Sequence, residues 1–151
     1  MDLMLVLNGL EQLEGTLALV YAHFSQALRS NEAVSDLFRR LSEDEYSHRQ
    51  KVRYQQRLVR RNPKRLAEID VDLSAVARLT GRASALLHTE YMTVDAALNF
   101  AIEVEYEAAE YHLKNALSQT NPSLAKLLRA LGTADEGHVG LLREFVGKGT
   151  R

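Results

Sequence analysis

The stretch EDEYSHRQKV, residues 43 to 52, places an acid and a base where a core helix normally carries apolar side chains. An apolar stripe at helical spacing begins at Val34, passes Leu41, and then continues through Glu45 and His48 before Val52. A buried, unpaired carboxylate is so unfavourable that it takes up a proton or finds a compensating charge. The stretch therefore predicts a core helix that carries a polar site inside the protein.

Three other segments carry a stripe of the same kind, with inward residues at alternating steps of four and three. Together with the first stripe they predict four long helices. Helix A covers about residues 2 to 29; helix B follows the segment SNE and stops before Pro63; helix C begins after a Thr93 N-cap and runs to Ala116; helix D opens at Asn121 and Pro122 and runs to Phe145.

About thirty residues separate helices B and C, which is too long for a tight connection between neighbouring helices. The segment LSAVARLTGRASALLHTEY within this connection has a weaker helical pattern. We therefore predict an all-α protein with two antiparallel helix hairpins joined by a long crossover that carries a short helix. No segment shows the alternation of a strand.

The composition is that of one globular domain, residues 1 to 151, with 46% hydrophobic and 26% charged residues. A net charge of -1 offers no general attraction for nucleic acid, and no run of apolar residues looks long enough to span a bilayer. The N-terminal segment lacks the pattern of a signal peptide, so we expect a cytoplasmic protein. Because the chain contains no cysteine, any metal must be bound by histidine and carboxylate side chains.

Each apolar stripe is interrupted by acids or imidazoles at matched positions. Four buried carboxylates would repel one another, but two divalent cations would balance their four negative charges while both histidines stay neutral. The acid and the histidine three residues apart lie on one helix face, where both reach one ion. We therefore predict a dinuclear metal site formed by Glu14, Glu45, His48, Glu105, Asp135 and His138.

The two halves of the chain repeat this arrangement. Glu14 precedes Glu45 by 31 residues, Glu105 precedes Asp135 by 30, and in each half a histidine follows the second acid by three. An internal duplication accounts for this repeat.

The order Glu, Glu-x-x-His, Glu, Asp-x-x-His resembles the ligand pattern of the rubrerythrin branch of the ferritin-like superfamily. The segments LEGTLALVYAHF and AIEVEYEAAEYH are similar to that family's ligand-bearing helices, with Tyr21 and His112 each seven residues after the glutamate. The resemblance covers nearly the whole chain and implies a ferritin-like four-helix bundle. Two positions differ from the family pattern: Asp135 stands where glutamate is usual, and Ala108 stands where many peroxidase members have another carboxylate.

The resemblance also implies a function. It points to two iron ions, with manganese or zinc as substitutes, and to reduction of hydrogen peroxide or oxygen, with Glu14, Glu45, Glu105 and Asp135 as the catalytic carboxylates. Without cysteine ligands in the chain, electrons would come from a separate donor, such as a rubredoxin-like protein or a reductase. We expect a homodimer that binds neither nucleic acid nor membrane.

Two alternatives remain open from the sequence. One is a ferroxidase or iron-sequestering ferritin relative, and the other is a metal-free helical interaction module with a degenerate site. For Tyr21 and His112 the sequence leaves two roles equally open, a hydrogen-bonded core residue or a group that orients a carboxylate. We expect His23 and His88 to be surface or packing residues, and Glu103, Glu107 and Glu110 to form a solvated face.

Overall fold

The computed structural model describes residues 2–62 and 69–149, and within them the chain forms five α-helices and no extended sheet. The helices are α1 (Leu3–Ala27), α2 (Glu32–Arg61), α3 (Ser74–Ala85), α4 (Val94–Ser118) and α5 (Pro122–Gly149), with a short 3-10 helix at Leu86–His88. The predicted all-α fold with a crossover helix is confirmed. The predicted stop at Pro63 lies outside the described residues, and α2 ends just before it.

Side-chain caps set the start of each long helix. Asp2 accepts a hydrogen bond from the Met4 amide, and Asn31 accepts one from Val34. Thr93, the N-cap predicted from the sequence, accepts from the amide of Ala96. The side chain of Asn121 accepts from Leu124, directly before the proline at the first position of α5. Each cap satisfies a backbone N–H that would otherwise lack a partner in the first helical turn.

The long helices pack as two hairpins, α1 with α2 and α4 with α5. Ser25 bonds to Ser35 near the first turn, while Gln56 near the end of α2 bonds to Asn8 near the start of α1, so these two helices are antiparallel. In the second hairpin, His112 contacts Asp135. Helix α3 packs along α1 near Gly9, where an added Cβ would lie 3.4 Å from Leu73.

Helix α1 bears on the expectation that no apolar run in the chain is long enough to span a bilayer. By length and composition alone it is apolar enough to cross a membrane, with mean hydropathy 1.3 over an 18-residue window. The statement that no segment reaches this level was therefore wrong. Half of the same window is buried inside the protein, and a core helix passes this test as readily as a membrane span, so the finding is weak support for a span.

An aromatic cluster fills the core next to the polar site. The Phe24 ring packs edge-on against Phe38 at 5.2 Å and against Phe100 at 5.8 Å, measured between ring centres. Tyr21 packs against Phe38 at 5.8 Å. These rings form an apolar layer on one side of the polar cluster. The hydroxyl group of Tyr21 faces that cluster.

Candidate metal centre

The structure brings all six predicted ligand residues together in the middle of the four long helices. Helix α1 supplies one carboxylate, α2 an acid and an imidazole, α4 one carboxylate, and α5 an acid and an imidazole. All six side chains are buried: Glu14, Glu45, His48, Glu105, Asp135 and His138. The helical stripes were therefore assigned to the correct faces, because one inward face of each helix reaches the same level of the core.

The six residues form two overlapping sets. In one set, one potential ligand atom each from Glu45, Glu105, Asp135 and His138 lies within 4.8 Å of the others. In the second set, atoms of Glu14, Glu45 and His48 meet the same criterion. Glu45 belongs to both sets, so it could contribute a ligand atom to each of two adjacent metal ions.

Both imidazoles direct Nδ1 toward the carboxylates. Nδ1 of His48 lies 3.2 Å from Oε2 of Glu45 and 3.7 Å from Oε2 of Glu14. Nδ1 of His138 lies 3.3 Å from Oε1 of Glu45 and 3.3 Å from Oε1 of Glu105. The two rings stack with their centres 5.8 Å apart and an interplanar angle of 25°. His138, in the second half of the chain, thus has the same ring orientation relative to the carboxylates as His48 in the first half.

Tyr21 and His112 both contact carboxylates of the cluster. The Tyr21 hydroxyl donates a hydrogen bond of 2.9 Å to Oε1 of Glu105, which lies in the other half of the chain. Nδ1 of His112 lies 2.8 Å from Oδ2 of Asp135. Of the two roles that the sequence left open, the contacts favour orientation of a carboxylate for both residues.

Asp44 contacts His138, which the sequence analysis did not predict. Its Oδ2 lies 3.1 Å from Nε2 of His138, on the ring edge opposite the carboxylate cluster. Asp44 falls inside the stretch EDEYSH, next to Glu45, but helical spacing alone assigns it to the outer face of α2. Only the position of α5 beside α2 shows that this outer residue reaches a histidine of the site.

Burial and mutual repulsion divide the four carboxylates into two classes. Burial, reinforced by the neighbouring acids, raises the pKa of Glu45 and that of Asp135 well above their usual ranges. Burial also acts against ionisation of Glu14, but the approach of Glu45 and His48 outweighs it and lowers the pKa of Glu14 to about 2. For Glu105, the effect of burial is likewise overcome, chiefly by His138, and its pKa is lowered.

Several oxygen atoms of the cluster have no hydrogen-bond partner within residues 2–62 and 69–149. They are both carboxylate oxygens of Glu14, Oε1 of Glu45 and Oε2 of Glu105. Buried acceptors are nearly always paired in folded proteins, and an unpaired one costs about 1–3 kcal/mol. A divalent cation supplies the missing partner and the missing positive charge, so the residues present fit a di-iron site.

The remaining acids and histidines have structural contacts. Arg78 and Arg82 pair with Glu107, and Arg82 also pairs with Glu103, which ties α3 to α4. The ring of His23 bonds to the carbonyl oxygen of Thr89. These contacts agree with the expected packing and surface roles. Glu110 and His88 are exposed, also as expected. Ala108 is buried beside the site, and Glu136 is exposed, so Glu136 does not replace Asp135.

The comparisons with known proteins agree with this geometry. The family model described as Rubrerythrin matches residues 13–146, which includes every residue of the cluster. Neither the search of curated proteins nor that of solved structures gave a match. With a match over most of its length and a ferritin-like helical bundle around the carboxylate and histidine cluster, the chain belongs to the rubrerythrin family.

Proposed function

We propose that this protein is a non-haem di-iron oxidoreductase that reduces hydrogen peroxide with electrons from a separate donor. One observation carries the proposal: two overlapping sets of buried ligand groups share Glu45, inside a member of the rubrerythrin family. A cluster built only for stability would pair its acids with cations or hydrogen-bond donors. Here several carboxylate oxygens accept no hydrogen bond from the described residues.

The donor set suits iron. Carboxylates with one imidazole in each set favour Fe(II) and Mn(II), while zinc competes through its higher general affinity. Four ionised carboxylates and two divalent ions sum to zero charge, which makes the buried site electrostatically acceptable. We propose His48 with Glu14 for one ion, His138 with Glu105 and Asp135 for the other, and Glu45 between them.

Bound iron would supply the electrons and the Lewis acidity of peroxide reduction. The protein residues orient the donor atoms and limit access of water. Tyr21 holds Glu105 through its hydroxyl, and His112 holds Asp135 through Nδ1. The phenylalanine rings beside Tyr21 keep one side of the site dry. Reduction of peroxide to two water molecules consumes two electrons and two protons, so a redox donor outside these 151 residues must deliver the electrons.

The outer face of α1 supports the proposed homodimer. Its exposed residues between Leu3 and Ala27 carry no charge: Leu5, Asn8, Gln12, Leu19, Ala22 and Gln26. Depletion of charged side chains distinguishes the core of a protein interface from ordinary surface. We propose that a second copy covers this face, in the cytoplasm and without nucleic acid or membrane as partner. Sedimentation of the wild type and of Leu19→Glu tests it, because the charge should shift a dimer toward monomer.

The central experiment is anaerobic reconstitution with Fe(II), followed by rapid mixing with peroxide or with oxygen. We expect two irons per chain and faster oxidation by peroxide, with turnover only when a rubredoxin-like donor or a reductase is added. Glu45→Ala should lose metal because both sets depend on that side chain. Glu43→Ala, two residues earlier on the exposed face of α2, should retain it.

Other outcomes would identify the alternatives. Equal or faster reaction with oxygen, accompanied by a ferric mineral in a large hollow assembly, would support a ferroxidase or iron-storage role instead. Only trace metal after reconstitution would support the metal-free interaction module. Full metal content in Glu45→Ala would show that the assignment of α2 to the centre is wrong.

A further inference from the structure

The two halves of the centre differ at the residue that precedes the second acid. In the first half this residue is Asp44, before Glu45; in the second half it is Ala134, before Asp135. In both halves a histidine follows this acid by three residues. The two histidines are therefore equivalent in the repeat, but the residue before the acid is not.

Asp44 gives His138 a partner on its outer edge. Nδ1 of His138 faces the carboxylates Glu45 and Glu105, so the second ring nitrogen points away from the site. At that nitrogen, Nε2, the Asp44 carboxylate lies at 3.1 Å. A carboxylate that accepts a hydrogen bond from Nε2–H keeps the lone pair on Nδ1, and it also fixes the angle of the ring.

Within residues 2–62 and 69–149, His48 receives no equivalent hydrogen bond from the other half. Its Nδ1 likewise faces the carboxylates, at 3.2 Å from Glu45, which leaves Nε2 as its outer nitrogen. The position that corresponds to Asp44 is Ala134, and a methyl group accepts no hydrogen bond. The number of acids adds to this difference, because the set that contains His138 has three carboxylates and the set that contains His48 has two.

We propose that Asp44 is a positioning residue for His138 and that the two metal positions consequently differ in affinity, with the ion beside His138 bound more tightly. The inference rests on the proposed metal site but concerns its asymmetry. Loss of a partner that orients a metal-bound histidine typically weakens binding by 10–100-fold. The Asp44 side chain is 56% exposed, so we expect the lower end, about tenfold.

The experiment is titration of the metal-free protein with Mn(II), with bound metal measured by equilibrium dialysis. Wild type should bind two ions in separate steps. Asp44→Ala should weaken the tighter step by about tenfold and leave the weaker step nearly unchanged. Glu43→Ala is the matched control: it removes one exposed negative charge from the neighbouring residue, which bonds to Arg39 rather than to a site histidine. It should bind as the wild type does.

Two further measurements separate positioning from a general loss of charge or fold. Nitrogen-15 NMR of the histidine rings in the Zn(II)-loaded protein should show an Nε2–H signal of His138 that shifts in Asp44→Ala and stays unchanged in Glu43→Ala. Ala134→Asp places a carboxylate at the position that corresponds to Asp44 in the repeat and should tighten the weaker step. Asp44→Asn, which keeps an acceptor oxygen, should retain more affinity than Asp44→Ala.

The outcomes distinguish this inference from the proposed function. Two equal Mn(II) steps in the wild type, or an Asp44→Ala protein that binds like Glu43→Ala, would refute the asymmetry and leave the di-metal site intact. Absence of bound Mn(II) in the wild type would overturn both. A fall in both steps of Asp44→Ala to the same degree would show that Asp44 acts through the fold and not through His138.

Discussion

Nδ1 of His112 lies 2.8 Å from Oδ2 of Asp135, and both side chains are buried. Because burial lowers the pKa of His112, the ring is neutral at pH 7, and a neutral imidazole has a single N–H to donate. That contact holds Asp135 in place despite its arm being shorter than the glutamate usual in the family. We expect His112→Leu to weaken metal binding by about 10–100-fold, measured by Mn(II) dialysis.

The control for this variant is His23→Leu. His23 also makes one hydrogen bond, to the carbonyl oxygen of Thr89, but lies outside the cluster. It should retain wild-type metal affinity. Equal affinity in both variants would mean that Asp135 is oriented by its helix alone.

Tyr21→Phe tests the hydrogen bond that crosses between the two halves. The substitution removes the hydroxyl that donates to Glu105 at 2.9 Å and leaves the ring packed against Phe38. Hydrogen bonds to charged groups contribute about 1.5–3 kcal/mol, and Glu105 is held ionised by His138. We expect the free energy of unfolding of the metal-free protein to fall by about 2 kcal/mol in urea titrations.

Tyr46→Phe is the matched control, because Tyr46 is exposed on α2 and should change stability by less than about 0.5 kcal/mol. If Tyr21→Phe were as stable as the wild type, the hydroxyl would have no net role in the metal-free fold.

The raised pKa values of Glu45 and Asp135 make metal binding depend on pH. A raised pKa means that each acid binds a proton more tightly than usual, and a metal ion must displace the protons that these acids hold. We expect protons to be released on loading, with an affinity that rises with pH by at most about a hundredfold per pH unit if both acids release one. Calorimetry in buffers of different ionisation enthalpy measures the release. A pH-independent affinity between pH 6 and 7.5 would contradict it.

The stability of the metal-free protein should show the opposite dependence. Because the folded state raises the pKa of Glu45 and Asp135 above their unfolded values, it binds more protons than the unfolded state above about pH 4.5. Stability from these two acids is therefore lost as pH rises from about 5 through their raised pKa values. The lowered pKa of Glu14, about 2, acts with the opposite sign but only below about pH 4.5. Urea unfolding at several pH values checks the sign.

The sequence was sufficient for the fold and for the members of the cluster because both depend on local patterns. The stripes through Glu45 and Glu105 fixed which helix faces turn inward, and Thr93 and Asn121 marked helix starts. Side-chain contacts between helices could not be predicted from the sequence. That Tyr21 reaches Glu105 and Asp44 reaches His138 depends on which helices lie side by side and at what height. The hydropathy of α1 was underestimated because two acids interrupt its apolar residues.

The glycines of α5 fall into two kinds that the sequence does not distinguish. An added Cβ at Gly132 would lie 2.6 Å from Leu113, so this glycine permits close packing of α5 on α4. At Gly137 and Gly140, no atom of the described chain lies within 4 Å of such a Cβ, apart from the chain neighbours and the nearby backbone of the helix itself. We expect Ala at either open position to stabilise the metal-free protein by up to about 1 kcal/mol, and Gly132→Ala to destabilise it. Thermal or urea unfolding measures all three.

Helix α5 should loosen first when metal is absent. Gly137 and Gly140 lower its intrinsic helix stability by roughly 1 kcal/mol each relative to alanine, whereas α2 contains no glycine. Without metal, α5 also holds Asp135 buried beside acids that repel its charge, and the resulting penalty acts on the same helix. A metal that binds only the folded site stabilises it by mass action.

We therefore expect amide hydrogen exchange in residues 124–146 to be faster than in residues 34–58 without metal, and to slow on addition of Fe(II) or Mn(II). Gly137→Ala and Gly140→Ala should reduce the difference in exchange rate between these two segments in the metal-free protein. Equal protection of the two segments without metal, or no change in α5 on loading, would show that packing alone holds the centre together.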